Sequence, residues 1–206
     1  MSDRPLLLAT RSAGKMRELR PMLERAGFRA VSLEDLDIVE DGAEAEVEAF
    51  ATFEENALAK ARYFFEVSGG IACVADDSGL EVAALGGRPG VRSKRWSGRD
   101  DLSGEALDVA NNAALLAALE QASDLRARYV CAAAFVNLGG RELVARGETE
   151  GTIVRAPRGS GGFGYDPYFE SAELGRTFGE ASAGEKERVS HRGRAFHALL
   201  EQLRAG

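Results

Sequence analysis

Two long strand-like runs, residues 128–138 and 142–154, meet at Gly139-Gly140, and no other feature constrains the fold as much. Runs of this kind joined by two glycines read as a long hairpin. Around it, helical and strand-like stretches alternate. Leu6-Leu7-Leu8-Ala9 reads as a short buried strand, and a helical stretch runs from about Ala13 to Ala26, closed by Gly27 as a C′ glycine closes a helix. Thr52-Phe53-Glu54-Glu55 forms a capping box that predicts a helix to about Val67, broken by Ser68-Gly69-Gly70. Residues 71–75 read as a second buried strand, and residues 80–85 continue the sheet after an Asp76-Asp77-Ser78-Gly79 turn. Residues 86–90 are a loop by composition. Ser103 is expected to cap a helix from Gly104 to about Gln121, with Leu107, Ala114, Leu115, Ala118 and Leu119 on one face. A final helix begins near His191 and buries Ala195, Phe196, Leu199, Leu200 and Leu203. Such alternation plus one long hairpin predicts an α/β fold with a mixed sheet. No internal repeat or linker interrupts it, and residues 34–48 are acidic and irregular.

The chain has 206 residues, enough to bury a sizeable core, so a single domain over residues 1–206, of one or two lobes, is expected. Its 26 basic and 33 acidic side chains give a formal charge of −7, which argues against a general nucleic-acid binder. An anionic small substrate remains compatible if a divalent cation and a few placed Lys or Arg offset the local charge. Cys73 and Cys131 sit in apolar runs and read as reduced core residues rather than a disulfide or zinc framework. Residues 5–9 are too short an apolar run for a signal segment, and no run approaches the roughly 20 residues of a membrane span. These readings predict a cytoplasmic enzyme with no membrane partner.

Four segments carry candidate chemistry. Thr10-Arg11-Ser12-Ala13-Gly14-Lys15 follows a strand and opens a helix, where free backbone N–H groups and the helix dipole attract phosphate. It lacks the glycine spacing of a Walker A loop. With Ser12 as N-cap, Lys15 falls at N3, where a cation opposes the dipole, so it is expected to meet something anionic; the plain alternative is a solvated surface lysine. Asp76 and Asp77 end an apolar run, and one of them suits a hard cation such as Mg²⁺ while the other suits an Asx-turn. Gly161-Gly162-Phe163-Gly164-Tyr165-Asp166-Pro167 places an accessible ring among glycines, fit for stacking on a flat ligand, or else an aromatic turn packed into the core. Tyr165 suits core and site equally. Lys186 and then Ser190-His191-Arg192-Gly193 gather cations at the start of the last helix. His197 reads as structural, and the acidic Glu40, Asp41, Glu44, Glu46 and Glu48 read individually as solvated.

Taken in order, Thr52-Phe53-Glu54-Glu55-Asn56-Ala57, residues 75–80, residues 86–90, residues 161–167 and Ser190-His191-Arg192-Gly193 resemble the motifs of the Ham1/RdgB (inosine triphosphatase-like) family of nucleotide pyrophosphatases. The resemblance covers nearly the whole chain. It implies an elongated mixed sheet flanked by helices, with two lobes and a nucleotide-binding cleft between them. It also implies Mg²⁺-dependent hydrolysis of non-canonical purine nucleoside triphosphates (ITP, dITP, XTP, dXTP) to monophosphate and pyrophosphate, in a homodimer. Carried over, Thr10, Arg11, Ser12, Ala13, Gly14 and Lys15 would hold the triphosphate. Asp77 would be general base and, with Glu48, metal ligand, and Ser78 would contact substrate. Phe163, Gly164, Tyr165 and Asp166 would hold the base, with Lys186, His191 and Arg192 completing recognition of its edge. Ser12 stands where the family usually has Asn, and Arg11 replaces a commonly small or variable residue; Ser keeps N-cap ability. A Maf-type pyrophosphatase lacks the last two motifs, and a non-catalytic nucleotide-binding protein predicts a missing metal carboxylate.

Overall fold

A computed structural model describes residues 5–205, without the side chains of Ala45 and Glu46. In chain order the elements are β1 (Pro5–Leu8), α1 (Ala13–Arg25), β2 (Arg29–Val31), α2 (Glu44–Val47), α3 (Phe53–Val67), β3 (Cys73–Val82), α4 (Gly104–Ala118), β4 (Arg126–Val136), β5 (Glu142–Ile153), β6 (Phe169–Ser171), β7 (Arg176–Thr177), α5 (Ala183–Val189) and α6 (His191–Ala205). The strands form one sheet in the order β2-β1-β3-β4-β5-β6-β7. β1 is parallel to both β2 and β3, whereas β6 is antiparallel to β5 and β7. The sheet is therefore mixed and the fold α/β.

Within the apolar runs at 6–9 and 71–75, residues 6–8 and 73–75 form buried parallel strands, as continuous hydrophobic sequence in a covered sheet should, while Ile71 and Ala72 lead into β3 half-buried. One expectation fails between them. Asp76-Asp77-Ser78-Gly79 is not a turn: β3 passes straight through it as ten residues. Its polar groups find partners inside the protein, described below, so no chain reversal is needed to solvate them. Smaller differences also have local causes. Ser103 caps α4 by position but makes no side-chain cap bond, and the helix ends at Ala118 rather than Gln121. Ala118 is exposed, and the buried face of α4 carries Asn111 and Asn112 beside Leu115. The acidic stretch contains the four-residue α2. α5 was not expected, although Ser182 and Glu185 cap it reciprocally.

The chain divides into two compact units. The first comprises Met1–Asp77, Cys131–Arg146 and Ala195–Gly206. Its core joins Leu6, Leu8, Leu19, Leu23, Val74, Phe135, Phe196 and Leu199. Cys73 and Cys131 are buried thiols outside any disulfide, and burial pushes the Cys73 thiol up to about 12. The second unit comprises Ser78–Val130 and Gly147–Arg194. Its core is aromatic: Tyr129 packs on Phe169 with centroids 4.6 Å apart, and Phe169 on Phe178 at 5.2 Å. Among the described residues, no helix is long and apolar enough to cross a membrane.

Candidate active site

In the first unit the site is built from the start of α1, the face of α3 and the middle of β3. Ser12 is the N-cap of α1, its Oγ accepting from the Lys15 amide at 3.3 Å, while the Ser12 amide donates to Thr10 Oγ1 at 3.1 Å. Lys15 is thereby fixed at N3, and the anion it meets is a carboxylate: its Nζ lies 3.0 Å from Asp76 Oδ2. Ala13 is exposed and Gly14 buried. Arg11 turns toward the acidic stretch, where Nε donates to Glu44 Oε2 at 2.7 Å and a second guanidinium nitrogen to the Ile38 carbonyl at 3.2 Å.

Successive residues of β3 point to opposite faces. Asp76 is fully buried, and the Cys131 thiol donates to its Oδ2 at 3.8 Å. On the following residue, Asp77 Oδ2 accepts from Asn56 Nδ2 at 2.9 Å. Burial pushes the Asp77 carboxyl up to about 6; Lys15 and Lys60 pull it down, and the neighbouring Glu48 charge pushes it further up. Lys60 is ion-paired to Glu48. Burial acts to lower the Lys60 ammonium, but the carboxylates of Glu48, Asp76 and Asp77 outweigh it and hold the group above its ordinary value. The result is a compact group of three carboxylates and two ammonium groups.

The second unit carries the glycine-rich loop. Gly162 has φ +74° and lies so close to Asp166 that a Cβ would sit 2.0 Å from Oδ2. That carboxylate accepts from the Phe163 amide at 2.7 Å and from Lys186 Nζ at 2.5 Å. Lys186, itself buried, also sits 4.9 Å from the Phe163 ring centroid, and Arg192 Cζ lies 5.4 Å from the same ring. Arg192 Nη2 donates to Ser78 Oγ at 2.8 Å. His191 stacks on Tyr129 with centroids 4.4 Å apart and planes 7° from parallel. Thus Ser78, Phe163, Asp166, Lys186 and Arg192 come together. Tyr165 instead joins the core, its hydroxyl donating to the Ser93 carbonyl at 2.7 Å. His197 is exposed on α6.

Gly193 explains how the cations are placed. The Glu187 carbonyl of α5 lies where a Cβ would be, at 1.8 Å, so only glycine lets the start of α6 fold back against α5.

Several members of these groups were missed by sequence reasoning. Asn56 and Lys60 are four apart on α3; Asp108 and Asn112, four apart on α4, hold the glycine-rich loop, Asp108 Oδ2 accepting from the Gly164 amide at 2.8 Å and Asn112 Nδ2 donating to the Gly164 carbonyl at 2.9 Å. That spacing puts each pair on one helix face. For Lys60, Asp108 and Asn112 it is the only local signal, and it does not distinguish a site from a solvated stripe; Asn56 also stands in the Thr52–Ala57 motif.

Comparison with known proteins covers nearly the whole chain. The Ham1 family model matches residues 6–202. Proteins called dITP/XTP pyrophosphatase from Mycolicibacterium paratuberculosis and Mycobacterium tuberculosis are each 52% identical over 202 residues, covering 97% of this chain and 95% of theirs. A solved HAM1 protein of Coxiella burnetii superposes with a TM-score of 0.82 at 33% identity, covering 98% of this chain and all of its own. A nucleoside-triphosphatase / dITP/XTP pyrophosphatase from Mycobacterium abscessus gives 0.70 at 46% identity, covering 95% of this chain and 98% of its own. With a model match over almost its full length and close relatives that it spans, the chain belongs to the Ham1 family.

Proposed function

We propose that this protein hydrolyses non-canonical purine nucleoside triphosphates, ITP, XTP and their deoxy forms, to the monophosphate and pyrophosphate with Mg²⁺. The observation that carries the reading is Asp77: a buried carboxyl pushed up to about 6, oriented by Asn56 and grouped with a second acid and two lysines. A base tuned toward neutrality is what activation of water requires. The names of the relatives, which are dITP/XTP pyrophosphatases at about half identity, support the substrate class.

The donor set fits Mg²⁺. Glu48 and Asp77 offer hard oxygen ligands in one electrostatic neighbourhood. Among the described residues, no group of three or more His, Cys, Asp or Glu forms a metal cage. Magnesium commonly takes one or two carboxylates and completes its shell with water and substrate phosphate, whereas zinc asks for several nitrogen or sulfur ligands. Bound by Glu48 and Asp77, it would neutralise phosphate charge and acidify water.

The chain's own residues do the rest. Lys15, the α1 N-terminus and Thr10–Gly14 bind the triphosphate, and Lys60 offsets its charge. Asp77 accepts the proton of the water that attacks the α-phosphorus, and pyrophosphate leaves. Phe163 stacks on the base, and Lys186, His191 and Arg192 present donors to its edge. Inosine and xanthosine offer a 6-oxo acceptor to those donors, whereas the 6-amino group of adenosine leaves buried donors facing a donor. Mispairing of that kind discriminates by up to about 10⁴-fold.

Pyrophosphate release from ITP, XTP, GTP and ATP, each with and without Mg²⁺, tests the reading. Mg²⁺-dependent release from ITP and XTP far above ATP is expected from the 6-oxo acceptor, and far above GTP, which shares that acceptor, from rejection of the guanine 2-amino group. Equal rates for all four would reject the selectivity, and no release would favour a nucleotide-binding protein.

A further inference from the structure

Phe163 presents a physical problem. It is flanked by Gly162 at φ +74° and Gly164 at φ +62°, two residues whose backbone is costly to order because glycine samples so many conformations in the unfolded chain. A ring that must stack on a base in one orientation cannot be left on such a hinge without losing binding energy to its ordering. Asp166 secures the N-terminal side: the Phe163 amide donates to its Oδ2 at 2.7 Å, and the Asp166 amide donates to the Phe163 carbonyl at 3.2 Å. The C-terminal side is secured by a different element. Asp108 Oδ2, on α4, accepts from the Gly164 amide at 2.8 Å, and Asn112 Nδ2 donates to the Gly164 carbonyl at 2.9 Å. Both polar groups of one glycine are therefore held by two side chains a single helical turn apart.

The Asn112 amide is committed to this task. Its nitrogen donates twice, to the Asp108 carbonyl at 2.8 Å and to Gly164, so both partners are acceptors and the amide orientation is determined. Its Oδ1 is buried without a hydrogen-bond partner among the described residues. Stranding a buried acceptor costs about 1–3 kcal/mol, a cost a merely structural Asn would shed by becoming apolar. The Asp108 carboxyl is likewise half-buried, which raises it above its ordinary range against the pull of the Gly164 amide.

We propose that Asp108 and Asn112 are positioning residues for base recognition, holding the peptide groups of Gly164 so that the Phe163 ring is fixed before the nucleotide arrives. The proposal rests on the reading that Phe163 stacks on the base. Neither residue is among those proposed to bind the phosphates.

The test uses hydrogen-bond polarity, which volume alone does not mimic, in the full-length protein. Asp108→Ala and Asn112→Ala each remove one anchor and should raise KM for ITP about five- to tenfold, with a smaller change in kcat. Asp108→Asn still offers an acceptor to the Gly164 amide and should rescue KM. The isosteric Asn112→Asp cannot donate, and should be as impaired as Asn112→Ala. Inhibition by inorganic tripolyphosphate, which has no base, should be the same in all variants. Amide exchange of residues 161–167 should accelerate in the impaired variants and not in Asp108→Asn. Accelerated exchange with an unchanged KM would overturn the positioning role, as would a parallel loss of tripolyphosphate inhibition, which marks general destabilisation. If the unaltered protein hydrolyses no nucleotide, the pyrophosphatase reading itself fails, and this proposal with it.

Discussion

The ammonium of Lys15 lies 3.0 Å from Oδ2 of Asp76, a carboxylate with no solvent exposure. Each residue resolves the other's difficulty. A cation at N3 opposes the helix dipole, and a buried carboxylate without a counter-charge is costly in the interior. Pairing them lets a lysine stand at a helix start and leaves the adjacent Asp77, on the other face of β3, as the acid we propose for the base.

Asp77→Asn should lower turnover by about 10²–10⁴-fold while leaving the fold intact, because the base is lost and the Asn56 bond can be kept. Near-normal turnover would reject Asp77 as base.

The same substitution should stabilise the protein at neutral pH. The folded Asp77 carboxyl ionises at about 6 against an ordinary 3.8, so the folded state holds the proton more tightly. Stability therefore falls as pH rises from about 4 through 6, by about 3 kcal/mol once the group is ionised in both states. Denaturant titrations with EDTA at pH 4.5 and 7.5 should show Asp77→Asn gaining on the unaltered protein at the higher pH. An equal difference at both would contradict the shift.

Breaking the buried Lys186–Asp166 pair by removing one partner should cost about 3–5 kcal/mol. Lys186→Met tests this by its midpoint in urea. Adding Asp166→Asn should recover much of the stability, but not the affinity for ITP. Recovery of both would mean that Lys186 serves only the fold.

Gly193→Ala and Gly184→Ala should differ in sign. At Gly193 the Cβ meets the Glu187 carbonyl at 1.8 Å, backbone against backbone, so α5 and α6 must separate and Tm should fall sharply. At Gly184, inside α5, a Cβ meets nothing within 4 Å, and the gain in helix propensity is up to about 1 kcal/mol. A soluble Gly193→Ala protein with unchanged Tm would refute the close approach.

The elements that local chemistry specifies were legible: the Thr52 cap, the Gly27 stop, the Gly139-Gly140 hairpin and the final helix. β3 was misread because Asp-Asp-Ser-Gly carries every local mark of a turn. What keeps it extended comes from elsewhere in the chain. Asn56 donates to Asp77, Arg192 donates to Ser78, and the Leu80 amide donates to Ser93 Oγ at 2.8 Å. Sequence spacing does not reveal such partners. The same holds for Lys60, Asp108 and Asn112, whose helix positions were plain but whose contacts lie far along the chain. α5 is a different case: its Ser182–Glu185 box is a local signal that the sequence carries in full.

The core of the first unit joins Leu6, Leu8 and Leu19 to Phe196 and Leu199, so residues from β1 and α1 wait for α6, the last of the described elements to be synthesised. Until α6 leaves the ribosome, those leucines lack part of their packing, and the unit that carries Asp77 cannot be complete. A stop codon in place of Phe196 would thus remove no residue assigned to chemistry, yet would leave an open apolar face for chaperones and proteases to find.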